Sequence, residues 1–251
     1  MKKIKDTNDK YHSHKSISAS GLKTIFKKSV YHHLNSTFKM TDAMNFGSAV
    51  HSAILEDGTD IAVMPEINLR TNKGKEIKEN FINENKGKII IKKEEEYAIN
   101  TIKWNFNKHS LAKNLIQRLT ETEVSYYGKI DNVDVRVRPD GIKENDYIID
   151  IKTTADASPR YFKNSIYNFA YHLQACFYCE ALGYDPARFR FIGIENKHPY
   201  SVEVFAMSDD MIEFGKDAWR IAFDCWKEYL ETNDTHCFWW KYFNDDGSLI
   251  L

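Results

Sequence analysis

The feature that most constrains the fold is a change of hydrophobic period at Glu123. From there, EVSYYGKI and VDVRVRP alternate apolar and polar residues, and the Asp-Asn pair between them forms a turn. This pattern predicts a strand pair in which Val133, Val135 and Val137 share one face. A third strand, YIIDIKT, follows the loop GIKENDY. We therefore expect a three-stranded meander.

Helical periodicity surrounds this meander on both sides. Before it, SISASGLKTIFKKSVYHHL predicts a helix capped by Ser18 or Ser20, AMNFGSAVHSAILEDG a second helix, and KKEEEYAINTIKWNFNKHSLAKNLI one or two more. After it, YFKNSIYNFAYHLQACFYCEALG predicts a long helix that ends at Gly183, then the strands FRFIGIEN and SVEVFAM, and a helix from about Ser208. This order predicts an α/β fold with a mixed central sheet flanked by helices.

Length and charge set the wider organisation. A chain of 251 residues can bury one substantial core, so we expect a single domain over residues 1–251. After a mobile start to about Tyr11, its first 40 residues form a basic, helical arm with nine Lys and two Asp, whereas residues 201–251 hold eleven Asp or Glu and four Lys or Arg. The arm is either a contact for a polyanion such as DNA or a solvated tail, and charge alone does not decide between them.

Several features bear on the location of the protein. No run approaches the roughly 20 apolar residues that span a bilayer, and the start lacks the apolar core of a signal peptide. We therefore expect a cytosolic protein without membrane contact, in which the four cysteines are free thiols. The aromatic run CFWWKYF at residues 237–243 predicts either a surface for a subunit or partner, or closure of the core.

Two acids and a lysine stand at the ends of the predicted strands. Asp150 and Lys152 are two residues apart on a strand and share a face, whereas Ile149 and Ile151 enter the core opposite. Asp140 ends the preceding strand, and the short loop can bring it beside Asp150. Two carboxylates this close repel unless a cation lies between them, and hard oxygen ligands suit Mg²⁺ or Mn²⁺. Taken alone, Asp-x-Lys is also a common surface pair.

The complete pattern is more specific, because Pro-Asp is followed after nine residues by Asp-x-Lys with apolar flanks. With this pattern the chain resembles the PD-(D/E)XK nuclease superfamily and, within it, the C-terminal nuclease domain of RecE-type exonucleases (exodeoxyribonuclease VIII). The likeness runs from about residue 17 to 180 and is carried by ISASGLKTIF, FGSAVHSAILE, PEINLRTNKGKE, VRVRPDGI, YIIDIKTTAD and YHLQACFY. The resemblance implies the restriction-endonuclease-like core of that superfamily, αβββαβ.

The resemblance also implies roles for single residues. Asp140 and Asp150 match the metal-binding acids, and Lys152 matches the catalytic lysine. His51 matches a helix-borne histidine that completes the metal site, and the carbonyl of Ile151 is implied as a further ligand. On its own, a histidine such as His51 is more often a satisfied core residue, and the other motifs reverse that preference here.

A helix motif in the same family, Q-x-x-x-Y, matches Gln174 and Tyr178. These residues are four apart and therefore share a helical face. The resemblance implies that this face looks onto the active site and the DNA backbone.

Other positions keep two interpretations. Glu123 begins the first predicted strand, where related nucleases often carry an acid that binds or orients the metal, but it is equally a surface residue. Lys15, Ser18 and Ser20 resemble a segment that contacts the DNA end near the 5′-phosphate, but a serine there is also simply a helix cap. Arg70, Lys73 and Lys75 either follow the DNA backbone or lie in a solvated loop.

The activity implied by the resemblance is a Mg²⁺-dependent exonuclease, with Mn²⁺ as a substitute, that degrades linear double-stranded DNA from the 5′ end and leaves 3′ overhangs. It implies a ring-shaped homo-oligomer, a trimer or tetramer, and a single-strand annealing protein as partner in recombination. It also implies a bacterial cytosol and a phage or prophage setting. The alternatives are an endonuclease or a 3′-directed repair nuclease of the same fold, and a non-catalytic DNA-binding protein.

Overall fold

The computed structural model describes residues 1–37 and 39–235, and the aromatic run at 237–243 and Cys237 lie outside this part. Its strands are β1 Lys2–Ile4, β2 Ile17–Ser18, β3 Ile61–Val63, β4 Ile89–Ile91, β5 Glu121–Thr122, β6 Ser125–Ile130, β7 Val133–Val137, β8 Gly141–Lys143, β9 Tyr147–Thr154, β10 Phe189–Glu195 and β11 Val202–Phe205. Its helices are α1 Asn8–Ser13, α2 Ala19–Lys27, α3 Val30–Leu34, α4 Asp42–Leu55, α5 Asn72–Glu84, α6 Lys93–Lys108, α7 Ser110–Gln117, α8 Pro159–Asn168, α9 Tyr171–Leu182 and α10 Asp209–Thr232.

A five-stranded sheet in the order β11-β10-β9-β8-β5 forms the centre. β9 and β10 run parallel, and the other neighbours are antiparallel, so the predicted mixed α/β fold is confirmed. Alternate residues of β9 enter two different cores: Ile148 packs with residues of α2, α8, α9 and α10, whereas Ile149 and Ile151 pack with residues of α4, α6 and α7. Helices therefore cover both faces of the central strands.

The predicted three-stranded meander is wrong in its pairing. β6 and β7 form the expected hairpin, and Asp131 and Asn132 both have positive φ, as a tight hairpin turn requires. This hairpin belongs to a separate four-stranded sheet in the order β1-β6-β7-β2. The predicted loop after β7 contains β8, which pairs with β9 in place of the hairpin.

The basic start of the chain is built into this second sheet. β1 pairs with β6 and β2 pairs with β7, so the expectation of a mobile start is wrong. Beyond β2, Leu22 and Ile25 of α2 are fully buried in the core.

Two predicted helices are broken. Ser29 accepts a hydrogen bond from the backbone N–H of His32 and starts α3 as a separate helix. The long helix before Gly183 divides into α8 and α9 at Ala170, which is buried and has a φ of +51°. Gly183 ends α9 in the left-handed conformation, as predicted.

Residues 60–92 hold structure that the sequence did not predict. β3 and β4 form a two-stranded parallel sheet, and the polar segment between them contains α5. Within residues 1–37 and 39–235, none of the helices has both the length and the apolar composition that crossing a membrane demands.

Candidate active site

Strand register places three acids in a row at one end of the central sheet. Thr122 of β5 pairs with Gly141 of β8, and Gly141 pairs with Ile149 of β9. One residue further along these antiparallel strands stand Glu123, Asp140 and Asp150. The predicted proximity of Asp140 to Asp150 is therefore a direct result of the β8–β9 register.

The pairing of β8 with β9 ends at Ile149, which leaves the backbone of Ile151 open on that edge. Its N–H donates to Asp140 Oδ2 at 2.5 Å, and its carbonyl accepts from His51 Nε2 at 2.9 Å. Two side chains thus take over the hydrogen bonds that a longer β8 would have made. The Ile151 carbonyl and His51, which are both predicted metal ligands, are thus hydrogen-bonded to each other.

His51 reaches this edge because α4 lies close to β9. Phe46, Val50 and Ala53 are buried on the inner face of α4. At Gly47 a Cβ would come within 3.3 Å of Thr153 Oγ1 of β9. The glycine therefore permits a close approach of helix and strand, and His51 follows one turn later.

His51, Glu123 and Asp140 form a group that we call the carboxylate cluster. Nδ1 of His51 lies 3.5 Å from Asp140 Oδ2 and 3.8 Å from Glu123 Oε1. One ligand atom from each residue lies within 4.8 Å of the others, and no second group of three or more such residues occurs within residues 1–37 and 39–235. This set of two carboxylates and an imidazole fits a divalent cation.

The pKa values of the carboxylate cluster reflect crowded negative charge. Burial raises the pKa of Asp140 to about 7, and Asp150 and Glu123 act in the same direction, while His51 opposes them. Burial alone would lower the pKa of His51, but Asp140 and Glu123 outweigh it and raise the value to about 9. A proton on His51 therefore supplies the positive charge that a metal ion would supply.

Glu123 does not begin a strand, contrary to the prediction. It lies between β5 and β6 with a φ of +52°, a strained conformation for a residue with a side chain. Its N–H donates to the carbonyl of Asp140 at 3.1 Å, and its Oε2 accepts from Arg138 Nε at 3.0 Å. Burial opposes ionisation, but His51 and Arg138 lower the pKa of Glu123. The strained backbone thus holds an ionised acid toward the cluster.

Asp150 belongs to a second group, which we call the lysine cluster: Lys23, Asp150, Lys152 and Gln174. Asp150 is 1% exposed, lies 2.5 Å from Lys152 Nζ, and accepts a hydrogen bond from Gln174 Nε2 at 2.7 Å. It is not among the residues of the carboxylate cluster, whereas the prediction grouped it with Asp140 as a metal ligand. Burial alone would lower the pKa of Lys152, but Asp150 and Asp140 raise it above the ordinary value. Lys152 is therefore a cation at neutral pH.

Lys23 was not predicted as a site residue. Its Nζ donates to Gln174 Oε1 at 2.9 Å. Because a lysine only donates and a carboxylate only accepts, Lys23 and Asp150 together fix which way the Gln174 amide points. Burial, with a smaller effect from Lys152, lowers the pKa of Lys23 to about 7.

The second residue of the Q-x-x-x-Y motif lies deeper than expected. Tyr178 is 6% exposed and packs beside Tyr11. Burial, and then Tyr11, Asp150 and Asp140, raise its pKa well above the ordinary value. The hydroxyl therefore stays neutral and lies near the active-site acids, and its orientation toward the DNA backbone stays a prediction.

The three residues predicted to contact the 5′-phosphate, Lys15, Ser18 and Ser20, differ in their exposure. Ser18 is buried and caps α2, because its Oγ accepts from the N–H of Gly21 at 3.3 Å. Lys15 and Ser20 are exposed. Ser20 lies three residues before Lys23, on the same face of α2.

The basic segment RTNKGK is the start of a helix and not a loop. Arg70, Lys73 and Lys75 are exposed there. Thr71 caps α5, and a Cβ at Gly74 would lie 2.0 Å from the carbonyl oxygen of Asn68. The threonine and glycine of this segment thus have structural roles.

Three of the cysteines lie in the described part of the chain. All three, Cys176, Cys179 and Cys225, are buried, and Cys176 and Cys179 are free thiols. Burial raises the pKa of Cys176 to about 12, so its thiol stays protonated.

Comparison with known proteins adds a family and a fold. A family model described as "PDDEXK-like domain of unknown function (DUF3799)" matches residues 18–235, which include both clusters. The chain is similar to a solved structure named "putative exonuclease" from Eubacterium rectale, with a TM-score of 0.60 and 15% identity, over 91% of this chain and 86% of that one. It is also similar to a phage related exonuclease from Haemophilus somnus 129PT, with a TM-score of 0.38 and 16% identity, over 89% of this chain and 98% of that one. No curated protein matches the chain.

Proposed function

Because the chain belongs to the PDDEXK-like family, we propose that it is a Mg²⁺-dependent deoxyribonuclease that degrades linear double-stranded DNA from the 5′ end. One observation carries the hydrolytic part of this proposal. The acids Glu123, Asp140 and Asp150 stand in a row at one end of the sheet, with His51 and Lys152 beside them. Such a row concentrates negative charge where a cation would be held.

The carboxylate cluster is the proposed metal site, and Asp150 and the carbonyl of Ile151 are the further ligands that the resemblance implies. A divalent cation held by His51, Glu123 and Asp140 would strengthen water as a nucleophile and offset the charge of the scissile phosphate. The carboxylates favour Mg²⁺, and Mn²⁺ would substitute. The hydrogen bond from the N–H of Ile151 orients the Asp140 carboxylate. The bond between His51 Nε2 and the carbonyl of Ile151 leaves Nδ1 facing the acids.

Lys152 is the proposed stabiliser of negative charge. Its raised pKa suits a permanent cation that contacts the phosphate as charge develops, and does not suit a base that removes a proton. Asp150 holds the ammonium group in place through a buried ion pair, and Gln174 donates a hydrogen bond to the same Asp150 carboxylate. Lys152 thus orients the water and the phosphate without itself changing protonation.

The direction of digestion follows from the resemblance to RecE-type exonucleases. Lys15 and Ser20 are exposed at the start of α2 and are the proposed contacts for the 5′-phosphate, with Ser18 as the cap behind them. Arg70, Lys73 and Lys75 are the proposed contacts along the DNA backbone. A ring-shaped trimer or tetramer would keep a chain of net charge −1 on DNA by topology.

The product fits a recombination role. Removal of the 5′ strand leaves a 3′ single strand, which a single-strand annealing protein would receive. The proposed setting of this reaction is a bacterial cytosol, with a phage or prophage as the source.

The test is digestion of a linear duplex that carries either a 5′ or a 3′ label, with Mg²⁺, a covalently closed circle and Lys152→Ala in parallel. We expect early release of the 5′ label, an intact circle and an inactive variant. Early release of the 3′ label would reverse the direction, and cleavage of the circle would indicate an endonuclease. If no substrate is lost with Mg²⁺ or Mn²⁺, the non-catalytic DNA-binding alternative replaces the proposal.

A further inference from the structure

A pocket of about 220 Å³ opens beside the lysine cluster, at the carboxyl ends of the parallel strands β9 and β10. Its walls include Lys152, Tyr161, Ser165, Phe169, Tyr171 and Asn196. Because Lys152 lines it, the pocket is continuous with the place where the scissile phosphate would lie. Ligands commonly bind at the carboxyl ends of parallel strands.

Two aromatic rings form a step at the mouth of the pocket. The rings of Phe169 and Tyr171 stack with centroids 5.5 Å apart and an angle of 28° between their planes. They stack because Ala170 between them has a φ of +51°, which breaks the helix. Phe169 is 55% exposed and Tyr161 is 44% exposed. Strain and exposed rings at one place indicate a surface kept for a ligand.

Lysines surround this step. Lys23 and Lys152 lie over the ring of Tyr171, with Nζ 5.5 Å and 4.9 Å from its centroid. Lys27 Nζ lies 5.9 Å from the centroid of Phe169. None of the residues that line the pocket is acidic. Cations next to exposed aromatic rings are the chemistry by which proteins hold single-stranded nucleic acid.

We propose that this pocket holds an unpaired nucleobase of the DNA strand being cut, in the nucleotide next to the scissile phosphate. The inference rests on the proposed function, because a paired terminal base would have to leave its partner before its phosphate reached Lys152. The base stacks on the step of Phe169 and Tyr171, and the lysines hold the flanking phosphates. Stacking tolerates any base, which suits an enzyme that digests without sequence preference.

The test uses a short single-stranded oligodeoxynucleotide with a 5′-phosphate and 2-aminopurine as its 5′-terminal base, with Ca²⁺ in place of Mg²⁺. Fluorescence reports stacking of this base, and a titration reports affinity. The same strand with an abasic 5′ residue is titrated by competition. The proteins are the wild type, Phe169→Ala, Phe169→Tyr, Tyr161→Ala and the control Tyr97→Ala, which removes an aromatic ring that is 71% exposed on α6.

We expect quenching with the wild type, Phe169→Tyr and Tyr97→Ala. Phe169→Ala should lose the quenching and bind about tenfold more weakly, within the range of about 5- to 150-fold typical for one stacked base. Tyr161→Ala should show a smaller loss. The abasic strand should bind the wild type as weakly as the complete strand binds Phe169→Ala.

Equal quenching and affinity in Phe169→Ala and the wild type would overturn the inference, as would equal binding of the abasic strand. The two proposals fail separately. A wild type that quenches but hydrolyses no DNA loses the proposed function and keeps the base pocket. A wild type that digests DNA but shows no Phe169-dependent quenching keeps the function and loses the pocket.

Discussion

The carboxylate cluster and the lysine cluster lie side by side at the end of β8, yet they are organised in opposite ways. When its three side chains are ionised, the carboxylate cluster carries two negative charges and one positive, and the positive charge is a proton on His51. With Lys23 protonated, the lysine cluster carries two positive charges and one negative, and its Asp150 is held by contacts to Lys152 and Gln174.

The difference teaches how one sheet end can serve two partners of opposite charge. The carboxylate cluster has excess negative charge, which a proton on His51 partly balances and which a cation can balance in its place. The lysine cluster has excess positive charge, which buried contacts hold in a fixed position, and this suits the anionic phosphate. The two clusters should therefore respond differently to substitution and to pH.

Asp140→Asn should abolish the first cluster without changing the second. We expect the rate of nucleotide release to fall at least about 10³-fold, because the cation loses a charged ligand. Calorimetric titration with Mn²⁺ should show the matching loss of affinity. Asp146→Asn is the control, since Asp146 pairs with Arg118 and Arg188 on the surface. Unchanged Mn²⁺ affinity in Asp140→Asn would remove this residue from the metal site.

Lys152→Ala should lower the rate of nucleotide release without lowering the affinity for Mn²⁺. We expect the rate to fall about 10²- to 10³-fold, because a charge aimed at the phosphate is gone. Mn²⁺ should bind as tightly as in the wild type or more tightly, since a nearby positive charge has been removed. Lys152→Arg keeps the charge and should recover part of the rate. A joint loss of metal affinity and rate would show that the two clusters act as one.

Metal affinity should rise with pH. His51, with a pKa raised to about 9, and Asp140, with a pKa raised to about 7, must lose protons before they bind a cation. Affinity should therefore increase about tenfold per pH unit for each proton released between about pH 6 and pH 9. Mn²⁺ titrations in buffers of different ionisation enthalpy measure that release. A constant affinity over this range would contradict the assignment of His51 as a ligand.

Lys23→Met should have the smallest effect. Without the lysine, the Gln174 amide loses the partner that fixes its orientation, and we expect about a tenfold fall in rate from the loss of one buried hydrogen bond to a charged group. Lys23→Arg should recover part of the rate. Lys28→Met removes an exposed lysine directly after α2 and should behave like the wild type. A rate equal to that of the wild type in Lys23→Met would show that Gln174 does not need this contact.

The sequence predicted the fold class and the superfamily because both depend on local patterns. Alternation identified the strands, and the short connection between Asp140 and Asp150 determined which residues face each other. The helix break at Ala170 carries no local signal, since alanine favours helices, and tertiary packing imposes it. The separation of the β6–β7 hairpin from β9 is likewise a long-range result that periodicity does not encode.

The site was predicted as far as neighbouring strands could define it. Glu123 was noticed, but its left-handed backbone and its contact with Arg138 depend on the chain bending between two sheets. Lys23 was missed because 151 positions separate it from Gln174, and a lysine on an amphipathic helix resembles any solvated residue. Whether the Asp150 carboxylate also reaches a bound cation depends on side-chain direction, which strand register does not specify, so its role as a metal ligand stays a prediction.

The position of Glu123 has a mechanical consequence. The chain passes from the five-stranded sheet to the four-stranded sheet at Glu123, and it returns beside Asp140. A cation bound to both residues would link the two chain segments that connect the sheets. The free energy of metal binding would then resist any sliding of one sheet against the other. The same ion would thus serve as a joint in the scaffold as well as a reagent.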